Sequence, residues 1–312
     1  MKCLVIADPV AKLKAATDTS FAIVRESLKR RHKVYWATDV DVRMETGRIR
    51  VQASAVRECA LDQSPALDSP QDFAIRDFKA VWIRKDPPFD SSYLTLCWLL
   101  ALEEKHVLMV NRPSLLLRLH EKLLPFEAMA GGFLKASDLV PTHIGSSASA
   151  REFLEKGAFD PAIRKPFLGF GGADIRKFSL KAGDALPNAD QLELTQPFLP
   201  EISEVGDRRV LYIGGNYVAD FVRLPAPGGI VSNIARGGSG HLAKLTARQK
   251  SVMERTGKFL KKAGVIFAGA DLIGNRISEI NITSPTGVRT LVSIGGEDIV
   301  PKIVSYVERA AL

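Results

Sequence analysis

Cysteine is scarce in this 312-residue sequence, and the three present, Cys3, Cys59 and Cys97, lie far apart. Their odd number and wide spacing exclude a disulfide framework and a cysteine-based zinc site. They read as reduced thiols, Cys3 in "CLVI" and Cys97 in "LTLCWLL" packed as small hydrophobes. The five histidines form no ligand cluster with them. Aromatic residues are also few, and no basic strand set interleaved with aromatics and no recognisable reading helix is present, so a nucleic-acid partner is not expected. No run reaches the ~18 uninterrupted apolar residues of a spanning helix, so no membrane partner is expected either. The opening "MKCLVIADPV" is short, ends at an aspartate and a proline, and lacks a small-residue cleavage site. It reads as a first strand rather than a signal peptide, and a cytoplasmic location follows.

What is present is a soluble, globular composition long enough for two or three structural units. The formal charge of +8 favours an anionic partner, which could be nucleic acid, acidic lipid or a small phosphorylated ligand. The densest basic run, "KRRHK" (Lys29 to Lys33), falls where a predicted helix ends and reads as a solvated helix end whose cations complement the dipole.

The first third alternates strand and helix: "KCLVIAD", a helix over 19–30, "KVYWAT", "AVWIRKD", a helix over 91–104 and "HVLMVN". This rhythm predicts a parallel sheet covered by helices. Residues 47–56 are expected to form a small hairpin, and 61–72 a surface loop. "RPSLLLRLHEKLLPFEAM" is predicted as one helix entered by a proline. The texture then changes to short strands separated by glycines: "AIRKP", "DIRKFSL", "LELTQPF", "RRVLYIG" and "NYVADFVRL", with "GGN" closing the last two as a hairpin. A helix follows with Thr246 and Gln249 spaced as a capping box and Gly264 as its stop. Strands over 265–273 and 276–282 and a final helix over 294–310 complete the chain.

Two stretches are too rich in glycine for ordinary connectors. In "RKPFLGFGGADIRKF", the loop of Gly169, Gly171 and Gly172 either closes a hairpin or offers backbone N–H groups to phosphate oxygens. It is not a P-loop of the Walker type, since no Lys-Ser or Lys-Thr closes it. The second, "PAPGGIVSNIARGGSGH" (225–241), is long enough to be a lid over a reacting ligand. Near the end of the chain, alternation along "EINITSP" puts Glu279 and Asn281 on one strand face, with Asp271 able to meet them across a hairpin. Two carboxylates and an amide are hard oxygen donors suited to Mg²⁺. Strand lysine, glycine loop, arginine, lid and carboxylate–amide strand occur in that order. Cations and a metal would thus bracket a polyphosphate, the arrangement that stabilises phosphoryl transfer.

That order, together with "DTSFAIV", "RKDPPFD", "VNRP", "HEKL", "GDRRV" and "DLIGNRISEINITSPTG", resembles the ATP-grasp superfamily and, within it, bacterial glutathione synthetases over nearly the whole chain. The resemblance implies an α/β protein of ATP-grasp fold with an N-terminal parallel-sheet substrate domain (1–119), a central ATP-grasp lobe (120–200) and a C-terminal lobe (201–312) carrying the lid 225–241. It implies an ATP-dependent carboxylate-amine ligase joining γ-glutamylcysteine and glycine through an acylphosphate, with release of ADP and phosphate. ATP is then a co-substrate, Mg²⁺ or Mn²⁺ the cofactor, and a symmetric homo-oligomer the assembly. Residue by residue, it implies Lys122, Lys165, Gly169, Gly171 and Gly172 at the phosphates. Gln196, Phe198, Leu199 and Asp207 fall beside the nucleotide, and Asp271, Glu279 and Asn281 on the metal. Arg209, Arg223 and Arg236 fall at the reacting charge, and Ser20, Arg84, Asp86 and Asn233 at the acid substrate. Leu168, Val231, Ser232 and Thr290 depart from the family's pattern. They leave open a ligase of another acid and amine, or a nucleotide-binding relative without turnover.

Overall fold

Strand β1 (Lys2–Ala7) is buried from Cys3 to Ala7, a pattern that suits a strand between parallel neighbours with both faces covered. The computed structural model describes residues 1–312 except 119, 170, 173, 187–191, 233, 235 and 236. Helix α1 (Thr19–Lys29) starts where the Asp18 carboxylate accepts from Phe21 N at 2.8 Å, a side-chain cap for an otherwise orphan donor. There follow β2 (Lys33–Ala37), β3 (Val42–Glu45), β4 (Arg48–Glu58), β5 (Ala66–Leu67), β6 (Gln71–Ala74), β7 (Ala80–Arg84), α2 (Ser91–Ala101) and β8 (Leu108–Val110). Strands β2, β1, β7 and β8 run parallel, as the alternating pattern predicts, in a sheet ordered β3-β4-β2-β1-β7-β8.

Two local expectations differ. Residues 47–56 are not a hairpin in themselves but most of one long strand, β4, whose partners β3 and β6 lie on either side of it in sequence. The predicted loop 61–72 contains β5 and the start of β6.

The single helix predicted over "RPSLLLRLHEKLLPFEAM" is two, α3 (Pro113–Arg118) and α4 (Leu124–Ala130), with Lys122 in the turn between them. Pro125 is the reason. Inside a continuous helix its ring would clash with the carbonyl four residues back, that of Glu121; at the first turn of α4 it costs nothing. The freed Glu121 carbonyl accepts instead from Ile280 N at 3.1 Å.

A second sheet, ordered β11-β10-β12-β9, is antiparallel and comprises β9 (His143–Gly145), β10 (Ala162–Pro166), β11 (Arg176–Phe178) and β12 (Glu193–Pro197). Helix α5 (Ser147–Gly157) packs beside β9, and the short α6 (Glu201–Glu204) leads out of the sheet. The third sheet, β15-β14-β13-β16-β17, holds β13 (Asp207–Ile213), β14 (Asn216–Leu224), β15 (Ser239–His241), β16 (Phe267–Ile273) and β17 (Arg276–Asn281). Gly214 and Gly215, at φ 57° and 76°, make the β13–β14 turn that only residues tolerant of positive φ can form. The stretch 225–241 is therefore not all loop: its last three residues are the edge strand β15, paired with β14.

Helix α7 (Ala247–Ala263) carries the expected capping box and Gly264 stop. The final helix predicted over 294–310 starts only at Val300, as α9 (Val300–Ala310): residues 294–299 are non-helical, with Gly295 at φ 85°, and a short unpredicted helix, α8 (Val288–Ser293), precedes them. Nor is the "KRRHK" run merely solvated. Arg30 reaches α9, donating to Ser305 Oγ and Glu308 Oε2 at 2.7 Å each and to the Pro301 carbonyl at 2.9 Å. No helix among the described residues is long and apolar enough to cross a membrane.

Two large cores each draw on both the first and the third sheet, whereas the second sheet keeps a small one of its own around Leu154, Ala162 and Phe178. Helix α7 is anchored to the segment before β9 by the fully buried Asp138, which pairs with Arg248 at 2.5 Å and Arg255 at 2.6 Å. Burial opposes ionisation of Asp138, but the Lys135 N–H and the two arginines outweigh it and hold the carboxyl below its usual value. A depressed folded-state pKa gives stability that is present above the unfolded value, near pH 4, and lost as pH falls through the folded one. Asp138→Asn should therefore lower stability by about 1–3 kcal/mol at neutral pH. The deficit relative to the parent should shrink below about pH 4, as urea titrations at several pH values would show.

Candidate active site

Strands β16 and β17 pair so that Asp271 stands directly opposite Glu279 and Gly269 opposite Asn281. Ile280 and Ile282, on the alternate face, are fully buried, so the polar face is the one turned toward a cleft. Asn281 Nδ2 lies 3.4 Å from both Asp271 Oδ2 and Glu279 Oε1. A half-turn of the amide presents its oxygen to the same point. The predicted convergence across a hairpin is thus present. Among the described residues no three His, Cys, Asp or Glu side chains gather as a metal cage, so the amide is needed to complete the oxygen set. Two carboxylates and an amide oxygen fit Mg²⁺, which keeps several waters and takes the rest of its shell from phosphates.

Asp271 is not idle. Arg209 grips it in a two-pronged bond, Nε to Oδ1 at 2.5 Å and Nη2 to Oδ2 at 2.8 Å, and Arg223 Nη2 adds a contact at 3.0 Å. Arg223 also holds Asp207 through Nε and Nη2 at 2.7 and 2.6 Å. Burial would raise the Asp271 pKa, but the two guanidinium groups overcome it and keep the carboxylate ionised far below its usual range. The Arg223 guanidinium is correspondingly held above its usual value despite its own burial. Arg209 and Arg223, expected at the reacting charge, are therefore engaged with carboxylates at the cleft wall. Arg236, their expected companion in the lid, and Asn233 lie outside the described residues.

The cleft, with a cavity volume of about 640 Å³, is walled by all three sheets. From the second come Lys165 and the glycine loop. Lys165 has no ion partner among the described residues, whereas Lys122 Nζ is buried under the loop, donating to the carbonyls of Pro166 (3.1 Å), Phe167 (2.7 Å) and Gly169. Burial lowers the Lys122 pKa, partly offset by Glu279. Gly171 and Gly172 hold φ of 62° and 75°. A Cβ on Gly172 would stand 2.3 Å from Val231 Cγ1, so the loop and the start of the predicted lid are in contact. Gly172→Ala should add about 1–2 kcal/mol of left-handed strain and weaken ATP binding roughly tenfold. Calorimetry would measure this, and an unchanged affinity would remove the loop from the nucleotide site.

Gln196, buried on β12, donates from Nε2 to Thr142 Oγ1 at 2.7 Å, and Phe198 just beyond carries Lys177 Nζ 3.6 Å from its ring centroid. Gln196, Phe198, Leu199 and Asp207 all line the cleft.

The first sheet supplies the third wall. Asp86 faces the cleft, while Arg84 and Ser20 lie beneath it and are not part of its lining. Arg84 is fully buried, yet among the described residues it donates only to Ser20 Oγ, at 3.2 Å, and its Nη2 has no partner. Burial lowers its pKa, with Asp18 and Asp86 opposing from a distance. Burial likewise raises the Asp86 pKa, with Arg84 opposing.

Glu121 is a cleft residue that sequence reasoning missed. Its carboxyl is buried beside Thr283 Oγ1 (3.5 Å) and pushed up to about 7, by burial first and by Glu279 second. The available signal was its place beside Lys122 in "HEKL". His120, one residue earlier, stacks on Phe167 at 4.5 Å and is pushed down to about 4 by burial and by Lys122.

Comparison with known proteins agrees with this geometry. Residues 1–117 match the model of the prokaryotic glutathione synthetase N-terminal domain, and 133–295 that of the prokaryotic glutathione synthetase ATP-grasp domain. The glutathione synthetase of Neisseria meningitidis is 34% identical, covering 96% of each chain, and that of Escherichia coli O127:H6 is 33% identical over 93% of this chain and 92% of its own. The crystal structure of the D-cycloserine synthetase DcsG aligns with a TM-score of 0.68 at 12% identity, covering 99% of this chain and all of the other. A RimK domain protein of ATP-grasp type from Sphaerobacter thermophilus aligns at 0.64 and 11%, over 98% and 99%. At such identities these structures establish the fold. The fold, the cleft and both halves of the sequence agree: this chain belongs to the prokaryotic glutathione synthetase family and is an ATP-dependent ligase of ATP-grasp fold.

Proposed function

We propose that the protein joins γ-glutamylcysteine to glycine, forming glutathione with release of ADP and phosphate. The observation that supports this most directly is the single cleft uniting three dissimilar walls: lysine and glycine loop, carboxylate–amide hairpin, and the Asp86 corner of the parallel sheet. The dipeptide's terminal carboxylate attacks the γ-phosphorus, the bond to the bridging oxygen of ADP breaks, and an acylphosphate forms. Glycine's amine, having lost a proton, attacks the acyl carbon and phosphate departs. Such chemistry needs placement and charge more than covalent help.

In this reading the loop of Gly169, Gly171 and Gly172 lays backbone N–H groups along the phosphates, with Lys165 and Lys122 beside them. Gln196, Phe198, Leu199 and Asp207 bound the rest of the nucleotide. Asp271, Glu279 and Asn281 would hold Mg²⁺, or Mn²⁺, which neutralises polyphosphate charge when bound. Arg209 and Arg223, which pair with Asp271 and Asp207, would lend their charge to the transferred phosphate. Asp86 at the cleft wall, with Asn233 in the lid, would take the acid substrate by its ammonium, and Arg84, buried beneath that wall with Ser20, would back it with positive charge toward its α-carboxylate.

The divisions near 119 and 200 belong to the same reading, supported by the three separate sheets. So does a homo-oligomer: Trp98 on α2 and Leu102, the residue that caps it, are 57% and 60% exposed and form an apolar strip that suits a subunit contact. A cytoplasmic location rests on ATP being an intracellular substrate. The deciding experiment incubates the protein with ATP, Mg²⁺, γ-glutamylcysteine and a panel of small amines, reading phosphate release and product mass together. One phosphate per glutathione with glycine is expected. Product with another amine alone would point to a ligase of different acceptor, consistent with exposed Leu168 at the glycine loop.

A further inference from the structure

Asn111, immediately after β8, is 2% exposed and has every hydrogen-bonding atom of its amide in use. Nδ2 donates to the carbonyls of Phe267 and Ile282, both at 2.7 Å, and Oδ1 accepts from Ile266 N at 2.8 Å and Phe267 N at 3.1 Å. One side chain from the parallel sheet therefore binds the first residue of β16 and the residue that follows β17.

The location of those bonds matters. The β16–β17 ladder closes at the Gly274–Asn275 turn and ends at the Gly269–Asn281 rung. Beyond that rung the strands part, and the Asn111 amide fills the gap. Ile282, whose carbonyl it holds, is the neighbour of Asn281; Phe267 is two residues from Gly269. At the turn end the covalent chain fixes the spacing of the two strands, and at the open end Asn111 does.

We propose that Asn111 is a positioning residue for metal-dependent nucleotide binding: its amide fixes the separation of β16 and β17 at the Asn281 rung and sets that rung against the parallel sheet. The proposal rests on the assignment of Asp271, Glu279 and Asn281 to the metal. A ligand set spread over two strands keeps its geometry only if the strands cannot splay, and tolerances are near 0.5 Å. Partners one shell out from a metal commonly change its affinity about 10- to 100-fold when lost.

The test uses the full-length protein carrying Asn111→Asp, which keeps the shape but removes both donated bonds, and Asn111→Ala. Calorimetry gives the ADP dissociation constant with Mg²⁺ and with EDTA, and the ratio is the gain due to metal; Mn²⁺ binding by electron paramagnetic resonance is the second readout. The gain should fall about tenfold in both variants, and Mn²⁺ binding should weaken in step, while the EDTA value stays within about twofold of the parent. A purely structural amide would lower the melting temperature and leave the ratio unchanged among folded molecules, which overturns the proposal. A parent protein showing no metal gain would instead overturn the metal assignment, and the proposal with it. If Asn111→Asp does not fold, Asn111→Ser takes its place in the same measurements.

Discussion

Glu279→Gln should lower turnover by roughly 10²- to 10³-fold or more with almost no change in melting temperature. The two halves of that expectation come from different observations. Glu279 makes no ion pair among the described residues; the Asn281 amide lies 3.4 Å from its Oε1. It stands opposite Asp271 and electrostatically raises the Glu121 carboxyl. Its repulsion from Asp271 and Glu121 is set against its attraction to the Lys122 ammonium, so removing its charge should change folding little. On the proposed function its use lies with a cation that arrives with the nucleotide. Were the polar face of β17 only a solvated strand surface, the variant would be close to silent in phosphate release at saturating Mg²⁺, and that outcome would sink the assignment.

Arg84→Met should do the opposite to stability: raise it by about 1–3 kcal/mol while raising the Michaelis constant for the acid substrate at least about tenfold. A buried guanidinium whose only hydrogen bond among the described residues is to Ser20 Oγ is expensive to keep, because no described carboxylate contacts it to offset its desolvation. Methionine has a similar length and none of that cost. A protein retains such a cation where a ligand anion completes it. The apparent affinity for ATP should stay within about twofold, because Arg84 does not line the nucleotide cleft. Thermal unfolding and initial-rate kinetics on one preparation decide the matter. A destabilised variant, or one whose constants for acid and ATP rise together, would assign Arg84 to the scaffold instead.

Much of this was legible from residue patterns. Period-two alternation put Glu279 and Asn281 on one face and Ile280 and Ile282 on the other, and Asp271 does meet them across the turn. The capping box of α7 and the parallel arrangement of β1, β2, β7 and β8 follow equally from local signals. The misses are tertiary. Apolar periodicity continues through Pro125, so one helix was expected where a proline and a long-range bond from Ile280 N dictate two. Residues 239–241 read as lid because glycine carries no strand signal, yet β14 offers them an edge to pair with. No local pattern says that Arg209 and Arg223 share Asp271 between them, or that Glu121 is buried, since each depends on strands distant in sequence.

The unequal sharing of hydrophobic cores constrains how the cleft can open. The first and third sheets are joined by two common cores, by the Asn111 amide and by the Arg30 contacts to α9, whereas the second sheet has only its own small core beneath it. Mechanically the molecule is two bodies rather than three. The Asp86 corner and the Asp271–Glu279–Asn281 hairpin form one fixed frame, so the distance between the proposed acid-substrate and metal sites is set at folding. The β9–β12 sheet with its glycine loop is the less tightly tied body, joined to the frame through the connections that precede β9 and follow β12. On the proposed function, movement of that sheet would admit and release nucleotide without disturbing the spacing on which the first bond-forming step depends.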